Sequence, residues 1–257
     1  MQARLSSRDL GIRFGGHQAV NQVSLDFYPA TLTALVGPNG AGKTTFFNLL
    51  SGQLPASTGQ VLLEGQDITK WSVARRARAG IGRAFQLTNL FPNLTVAENV
   101  RLAVQAQQQR GWNFWQVWRD LHEVNQRAEH FLEAVNLSAR RHDAVRALSH
   151  GDQRKLEVAL MLALQPKVMM FDEPTAGMSV DEVPVILDLI LQHKRDSDAA
   201  ILLVEHKMDV LRSLADRVVV LHQGELVADG EPAAVMASAT VQQAYLGKLS
   251  QPQAEAA

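Results

Sequence analysis

The sequence predicts an α/β protein built on a parallel sheet, and two observations carry that prediction. Gly37-Pro38-Asn39-Gly40-Ala41-Gly42-Lys43-Thr44 matches G-x-x-x-x-G-K-[ST], the phosphate-binding P-loop, and it lies between an apolar run and a helix-spaced one. From residue 148 onward, short apolar runs alternate with amphipathic helical patterns, as they do when helices connect parallel strands.

Composition sets the outer limits. The chain has 257 residues, enough for one large domain or two small ones. Hydrophobic residues make up 46% and charged residues 20%, the balance of an ordinary globular protein. A net charge of −1 gives no basic footprint for nucleic acid. The absence of cysteine excludes disulfide and thiol chemistry and allows a reducing compartment. MQARLSSRDL lacks the apolar core of a signal peptide. No apolar run reaches the roughly 18 residues a membrane helix needs, so work at a membrane would require other subunits to supply the span.

In chain order, LSSRDLGIRF and HQAVNQVSLDFY alternate in polarity around Gly15-Gly16, which predicts a β-hairpin. Leu32 to Val36 reads as a buried strand. Phe46, Phe47, Leu49 and Leu50 place an apolar face on a helix that runs to about Gly52. QVLLEGQDI is a strand broken at Gly65. SVARRARAGI is a basic helix whose Arg75, Arg76 and Arg78 read as a solvated face. LTNLFPNLTVAENV is a loop entering a helix, with a capping box from Thr95 to Glu98.

Residues 112–135 form the longest helical candidate. Its expected buried stripe is Phe114, Val117, Leu121, Val124, Ala128, Phe131 and Val135. Trp115 falls off that stripe, either packing on a neighbouring loop or marking an interface. LSHGDQRKLEVALMLAL is a polar turn feeding a helix that stops at Pro166. VMMFDEP is a strand ending in two acids, DEVPVILDLILQHKR a helix, AILLVEH a strand and MDVLRSLAD a helix. RVVVLHQGELVADGE is a hairpin turning at Gln223-Gly224. The tail LSQPQAEAA reads as disordered.

Chemistry concentrates at loop and strand ends. Gly37, Gly40 and Gly42 let backbone amides approach a phosphate, and the positive end of the following helix favours the anion. Lys43 can reach β- and γ-phosphates, and Thr44 can ligate Mg2+. Val168 to Phe171 deliver Asp172 and Glu173 to the sheet edge where α/β ligands bind, a Walker B pattern. Asp172 would hold the metal shell, and Glu173 can act as general base or orient the attacking water. Gln86 and His206 also end apolar runs; taken alone, each is more often an ordinary polar residue than part of a site.

Together, Phe14, lying 29 residues before Lys43, the P-loop, Gln86, LSHGD, VMMFDEP and His206 resemble, in order, the ATP-binding subunit of an ABC transporter. The resemblance spans about residues 4–248. It implies a P-loop NTPase (RecA-like) core with an antiparallel β subdomain and an α-helical insert, the ABC ATPase fold. Residues 1–86 and 161–248 would form the core, 87–160 the helical subdomain and 249–257 a tail. By the same resemblance Phe14 stacks on adenine. Asn39, Gly40, Ala41, Gly42, Lys43, Thr44 and Thr45 line the phosphate cradle. Gln86 is the Q-loop, touching Mg2+ and coupling nucleotide to membrane subunits. Ser149 and Gly151 belong to the signature loop and touch a partner subunit's ATP. Ala176 to Ser179 are the D-loop, and His206 is the switch histidine beside the γ-phosphate. The catalytic set is then Glu173, His206 and Lys43, the metal set Thr44, Gln86 and Asp172, and the cofactors are ATP and Mg2+.

Two spellings depart from the family. LSHGD replaces the usual LSGGQ and brings Asp152 close to a partner's phosphate, while Ser179 replaces the usual D-loop aspartate. RFGGHQAVNQVSL, AGIGRAFQLTNLFPNLTVAENV and DEPTAGM resemble the bacterial importers of branched-chain and other hydrophobic amino acids. That resemblance implies a second ATPase subunit, a heterodimer being favoured, two membrane permeases and a periplasmic or extracytoplasmic substrate-binding protein. Nucleic acid is not an expected partner. The place would be the cytoplasmic face of the bacterial inner membrane, peripherally bound, with residues 88–94 docking on the permease through Leu90 and Phe91. Alternatives are an importer of urea or short amides, an exporter of lipid or lipopolysaccharide, and a non-transport ABC ATPase. The last usually carries a long coiled-coil insert or tandem halves, which this chain lacks.

Overall fold

The computed structural model describes residues 1–84, 90–108, 117–205 and 214–246. The chain divides into two compact units, one formed by residues 1–79 together with those from 198 onward, the other by 80–197.

In the first unit, β1 (Leu5–Phe14) and β2 (His17–Phe27) pair antiparallel from Leu5↔Phe27 to Phe14↔His17, turning at Gly15 with φ 56°. This is the hairpin expected around Gly15-Gly16. A second strand pair continues the sheet. β3 is Leu32–Val36, β4 Thr58–Leu63 and β5 Gln66–Asp67, and the antiparallel sheet runs β2-β1-β4-β5. β3 belongs elsewhere. It lies parallel between β8 (Ala200–Val204) and β9 (Arg217–His222), and β10 (Glu225–Gly230) returns antiparallel on β9. Every residue of β3 and of β8 is buried, the near-continuous apolar run that parallel strands covered on both faces require. Gln223 (φ 52°) and Gly224 (φ 81°) form the β9–β10 turn with both residues left-handed, as a tight hairpin twist demands.

Helix α1 (Lys43–Ser51) buries Phe46, Phe47, Leu49 and Leu50 and ends at Gly52, whose φ of 81° permits the terminating turn. Helix α2 is Val73–Arg78, capped by the Ser72 side chain. Here one expectation fails. Arg76 is not on a solvated face: it is buried, and its guanidinium donates to the Leu49 and Leu50 carbonyls at 2.8 and 2.7 Å and to the Thr69 carbonyl at 2.7 Å. It closes the carbonyl end of α1, where cations are favoured. Burial pushes its pKa down to about 10, so the charge is held against a desolvation cost. Arg75 instead lies over the Trp71 ring at 3.8 Å. Replacing Arg76 by Met is expected to destabilise the protein by about 2–4 kcal/mol, because buried carbonyls lose a charged donor; urea denaturation reads this, and Arg75→Met should cost less than 1 kcal/mol, roughly the worth of an exposed cation–π contact. The chain closes this unit with α7 (Pro232–Ala237) and α8 (Ala239–Leu246).

In the second unit, β6 (Ile81–Ala84) pairs parallel with β7 (Val168–Asp172) from Ile81↔Val168 to Ala84↔Phe171. Four helices accompany them: α3 (Val96–Gln107), α4 (Val117–Ala134), α5 (His150–Leu164) and α6 (Val183–Asp196). The Thr95–Glu98 capping box is present in both directions, with Thr95 N donating to Glu98 at 2.7 Å and Glu98 N to Thr95 Oγ1 at 3.2 Å. α3 packs on both α4 and α5. On α4 the buried stripe runs Val124, Ala128, Leu132 and then Val135, with Phe131 only half-buried. The expected stripe holds at Val124, Ala128 and Val135, and Leu132 takes the buried place expected of Phe131, a second step of four after Ala128 where a step of three was expected. Phe114, Trp115, residues 208–213 of the helix read over 208–216, and the tail from 249 lie outside the described residues.

Candidate functional site

Strand β3 ends at Val36 and the chain turns through the P-loop into α1. Gly37, Gly40 and Gly42 take φ values of 152°, 80° and 95°. At Gly42 the requirement is spatial as well: a Cβ there would sit 2.5 Å from the Ala19 carbonyl oxygen of β2. A Cβ on Gly224 would lie 2.8 Å from the same oxygen. Gly224 N donates to the Ala41 carbonyl at 3.0 Å, and Asn21 N donates to the Gly224 carbonyl at 2.8 Å. The β2 strand, the P-loop and the β9–β10 turn are thus pressed backbone to backbone. Sequence reading missed this support; its only sign was the Gln-Gly pair at 223–224.

Gly42 caps α1 without a side-chain hydrogen bond, and the first turn carries no acid. The amides of that turn and the helix's positive end therefore face an anion with no built-in competitor. Lys43 is buried and its ammonium donates to the Gly37 carbonyl at 2.7 Å and to Pro38 at 3.1 Å, folded back across the loop. Thr44, Asn39 and Gly40 are exposed and Thr45 half-buried, while Ala41 is buried. Phe14 stands at the tip of the β1–β2 hairpin, 48% exposed. These residues all belong to the first unit and fit a phosphate-bearing ligand with an aromatic base.

The second unit holds the acids. Asp172 ends β7, buried, and pairs with Arg83 of β6 at 3.2 Å, both side chains 6% exposed. Burial pushes the Arg83 guanidinium below its ordinary value even though Asp172 supports its charge. The sequence did contain a signal for this pair. IGRA is a buried parallel strand interrupted by one cation, and such a cation needs a partner on the next strand. Glu173 follows with φ 55°, a left-handed conformation uncommon for this residue type and typical of functional corners. The turn is closed by Ala176 N donating to the Glu173 carbonyl at 3.1 Å.

Ser149 caps α5, accepting from Asp152 N at 3.1 Å, so the turn beginning LSHGD does form a helix N-terminus. Gly151 is buried there. The charge on Asp152 is matched on both sides, by Arg140 at 2.8 Å and Lys155 at 3.2 Å. Burial works to raise its carboxyl, but hydrogen bonds from Arg140, Lys155 and Ser149 outweigh that and hold it below the usual carboxylate range. The repulsion a lone acid would exert on phosphate is thereby offset.

Gln86 and His206 lie outside the described residues, as does the loop of 85–89. Leu90, expected to be exposed beside Phe91, is half-buried, whereas Phe91 is 55% exposed. Asn99, buried, accepts from Phe91 N at 2.8 Å and donates to the Phe91 carbonyl at 3.2 Å, so the backbone is clamped while the ring projects outward. Among the described residues no three His, Asp or Glu side chains gather as a metal site. Among those residues too, no helix is long and apolar enough to cross a membrane.

Residues 20–176 match the family described as ABC transporter. The chain is 38% identical over 253 residues to the high-affinity branched-chain amino acid transport ATP-binding protein LivG of Escherichia coli K12, covering 96% of this chain and 99% of that one. It is 36% identical over 246 residues to BraF of Pseudomonas aeruginosa, likewise named a branched-chain amino acid transport ATP-binding protein, covering 93% and 96%. The lipopolysaccharide export system ATP-binding protein LptB of E. coli K12 is 31% identical over 247 residues, covering 96% and 98%. Among solved structures, the ADP conformation of an ATP-binding cassette of an ABC transporter aligns with a TM-score of 0.79 at 27% identity, covering 96% of this chain and 99% of the other.

Proposed function

The chain belongs to the ABC transporter family, and on that premise we propose that it is the ATP-hydrolysing subunit that powers uptake of branched-chain or other hydrophobic amino acids through partner permeases. Its likeness to LivG and BraF over nearly the whole of each chain carries the choice of substrate. The substrate itself would be handled by other subunits, two permeases and an extracytoplasmic binding protein, with this chain on the cytoplasmic face.

The residues divide the work by chemistry. Phe14 stacks on adenine. Amides from Asn39 to Thr45 and the α1 N-terminus bind the phosphates, and Lys43 exchanges its carbonyl partners for β- and γ-phosphate oxygens. Mg2+, when bound with ATP, would neutralise charge on those phosphates, with Thr44, Gln86 and Asp172 as its protein ligands. Glu173 accepts the proton of the attacking water, and His206 donates a hydrogen bond to the γ-phosphate. Ser149 and Gly151 reach the ATP held by a second ATPase subunit, so that ATP binding closes two subunits and hydrolysis reopens them.

Purifying the chain with its untagged genomic neighbours tests the reading. Proteoliposomes containing that complex should take up leucine when ATP is inside, and should lose uptake with Glu173→Gln. A lipopolysaccharide-exporting complex, the reading that the likeness to LptB supports, would instead lack a substrate-binding protein and extract lipid. Phe91→Ala should separate docking from chemistry: leucine uptake falls about ten-fold or more, as for a buried aromatic hot spot, while ATPase activity of the soluble chain stays. Equal loss of both would exclude a docking role for that ring.

A further inference from the structure

We propose that Lys155 is a positioning residue that locks the Ser149–Gly151 turn to the Ser179 segment, presenting both to a second subunit as one preformed surface. The proposal rests on the reading of Ser149 and Gly151 as the half-site for a partner's ATP.

The lock is a continuous chain of polar contacts inside one unit. Lys155 lies one turn past Asp152 on α5 and bonds its Oδ1 at 3.2 Å. The same ammonium pairs with Glu182, just before α6. Glu182 turns its other oxygen to the backbone, accepting from Ser179 N at 3.1 Å. At the opposite end Arg140 holds Asp152 Oδ2 at 2.8 Å, and the Asp152 amide donates to Ser149 Oγ at 3.1 Å. Gly151 lies where the two segments meet: a Cβ there would stand in ordinary contact, 3.4 Å from Glu182 Oε2 and 3.8 Å from the Gly177 carbonyl.

Burial and charge assign the direction of the effect. Lys155 is buried, while Ser149, His150 and Ser179 are exposed and Val180 is 86% exposed. The lock is therefore inside and the surface it organises is outside, with an unpartnered valine beside Ser179 suited to an apolar contact. Arg140, Lys155, Asp152 and Glu182 thus form one ion-pair network, with Asp143 adding a third carboxylate on Arg140 at 3.0 Å. Burial works to lower the Lys155 pKa, but bonds to Glu182 and Asp152 raise it above the ordinary lysine value. The bond from Lys155, with that from Ser179 N, holds the Glu182 carboxyl below its usual range. The four charges are therefore retained together at neutral pH. The two departures from the family spelling, Asp152 and Ser179, are the two points this lysine joins through Glu182.

The test uses the co-purified transporter. Lys155→Met should lower ATPase kcat about ten-fold, the size of an ordinary coupling between sites, and reduce the cooperativity of hydrolysis in ATP. The KM for ATP should stay within two-fold, since the chain's own P-loop is untouched. Lys155→Arg should restore most of kcat. Thermal stability is recorded for each variant. A kcat and cooperativity unchanged in Lys155→Met, or a loss that tracks melting temperature and is not restored by Lys155→Arg, overturns the lock. Ser149→Ala serves as the separate control. If it too leaves hydrolysis unchanged, it is the shared half-site that fails, whereas loss with Ser149→Ala but not with Lys155→Met overturns the lock alone.

Discussion

Replacing Glu173 by Gln is expected to lower ATPase turnover by about 10²–10⁴-fold, the usual worth of a positioned general base, with ATP binding retained. The amide keeps the size and hydrogen-bonding reach of the carboxylate but cannot take a proton. The left-handed backbone at this position (φ 55°) is no worse for Gln than for Glu, so the fold should be undisturbed. The stalled protein should also accumulate in its ATP-bound assembly, because hydrolysis is the step that reopens it. Steady-state phosphate release together with equilibrium nucleotide binding checks both halves. Turnover equal to that of the unaltered chain would remove Glu173 from the role of base.

Asp172→Asn should have the largest effect on stability, about 3–5 kcal/mol, since it leaves the buried Arg83 guanidinium without the carboxylate it faces at 3.2 Å. The pair is not itself a large source of stability, because both ions are desolvated. A double variant, Asp172→Leu with Arg83→Leu, should therefore recover most of the loss on denaturation. Function should not recover with it. Asp172 is also the residue proposed for the Mg2+ shell, and a metal arriving there meets a carboxylate already engaged by a cation. The extra thermal stabilisation that Mg2+ adds to ATP should accordingly vanish in every Asp172 variant. It should grow in Arg83→Met, where the competing charge is gone. A double variant no more stable than Asp172→Asn would refute the ion-pair account.

Much of the site was legible because its chemistry is local. The P-loop needs glycines at fixed steps, a lysine and a hydroxyl residue, and these are adjacent in the chain. The helix caps at Ser149 and Thr95 and the hairpin turns at Gly15 and Gln223-Gly224 are likewise short-range, and each forms as read. Motif order then led from a phosphate loop to a family, an inference the near-full-length relatives bear out.

The misreadings have a common cause. Arg76 looked like one of three surface cations because its partners, the Leu49 and Leu50 carbonyls, lie more than twenty residues away. Lys155 and Glu182 carry no motif at all; their meaning comes from a carboxylate and an amide brought near by helix packing. On α4 the expected stripe holds at Val124, Ala128 and Val135 and misses at Phe131, because a repeat of about 3.6 residues leaves steps of three and four both open until α3 packs against the helix.

Local sequence was thus sufficient for the elements, their caps, the phosphate loop and the family. Backbone preference and side-chain chemistry act over a few residues, and a single chain records them directly. Only the tertiary structure decided which charges are buried, which backbone presses on Gly42, and which acid Lys155 holds. Those choices depend on desolvation and packing between segments far apart in the chain, and no short stretch of sequence contains both sides of such a contact.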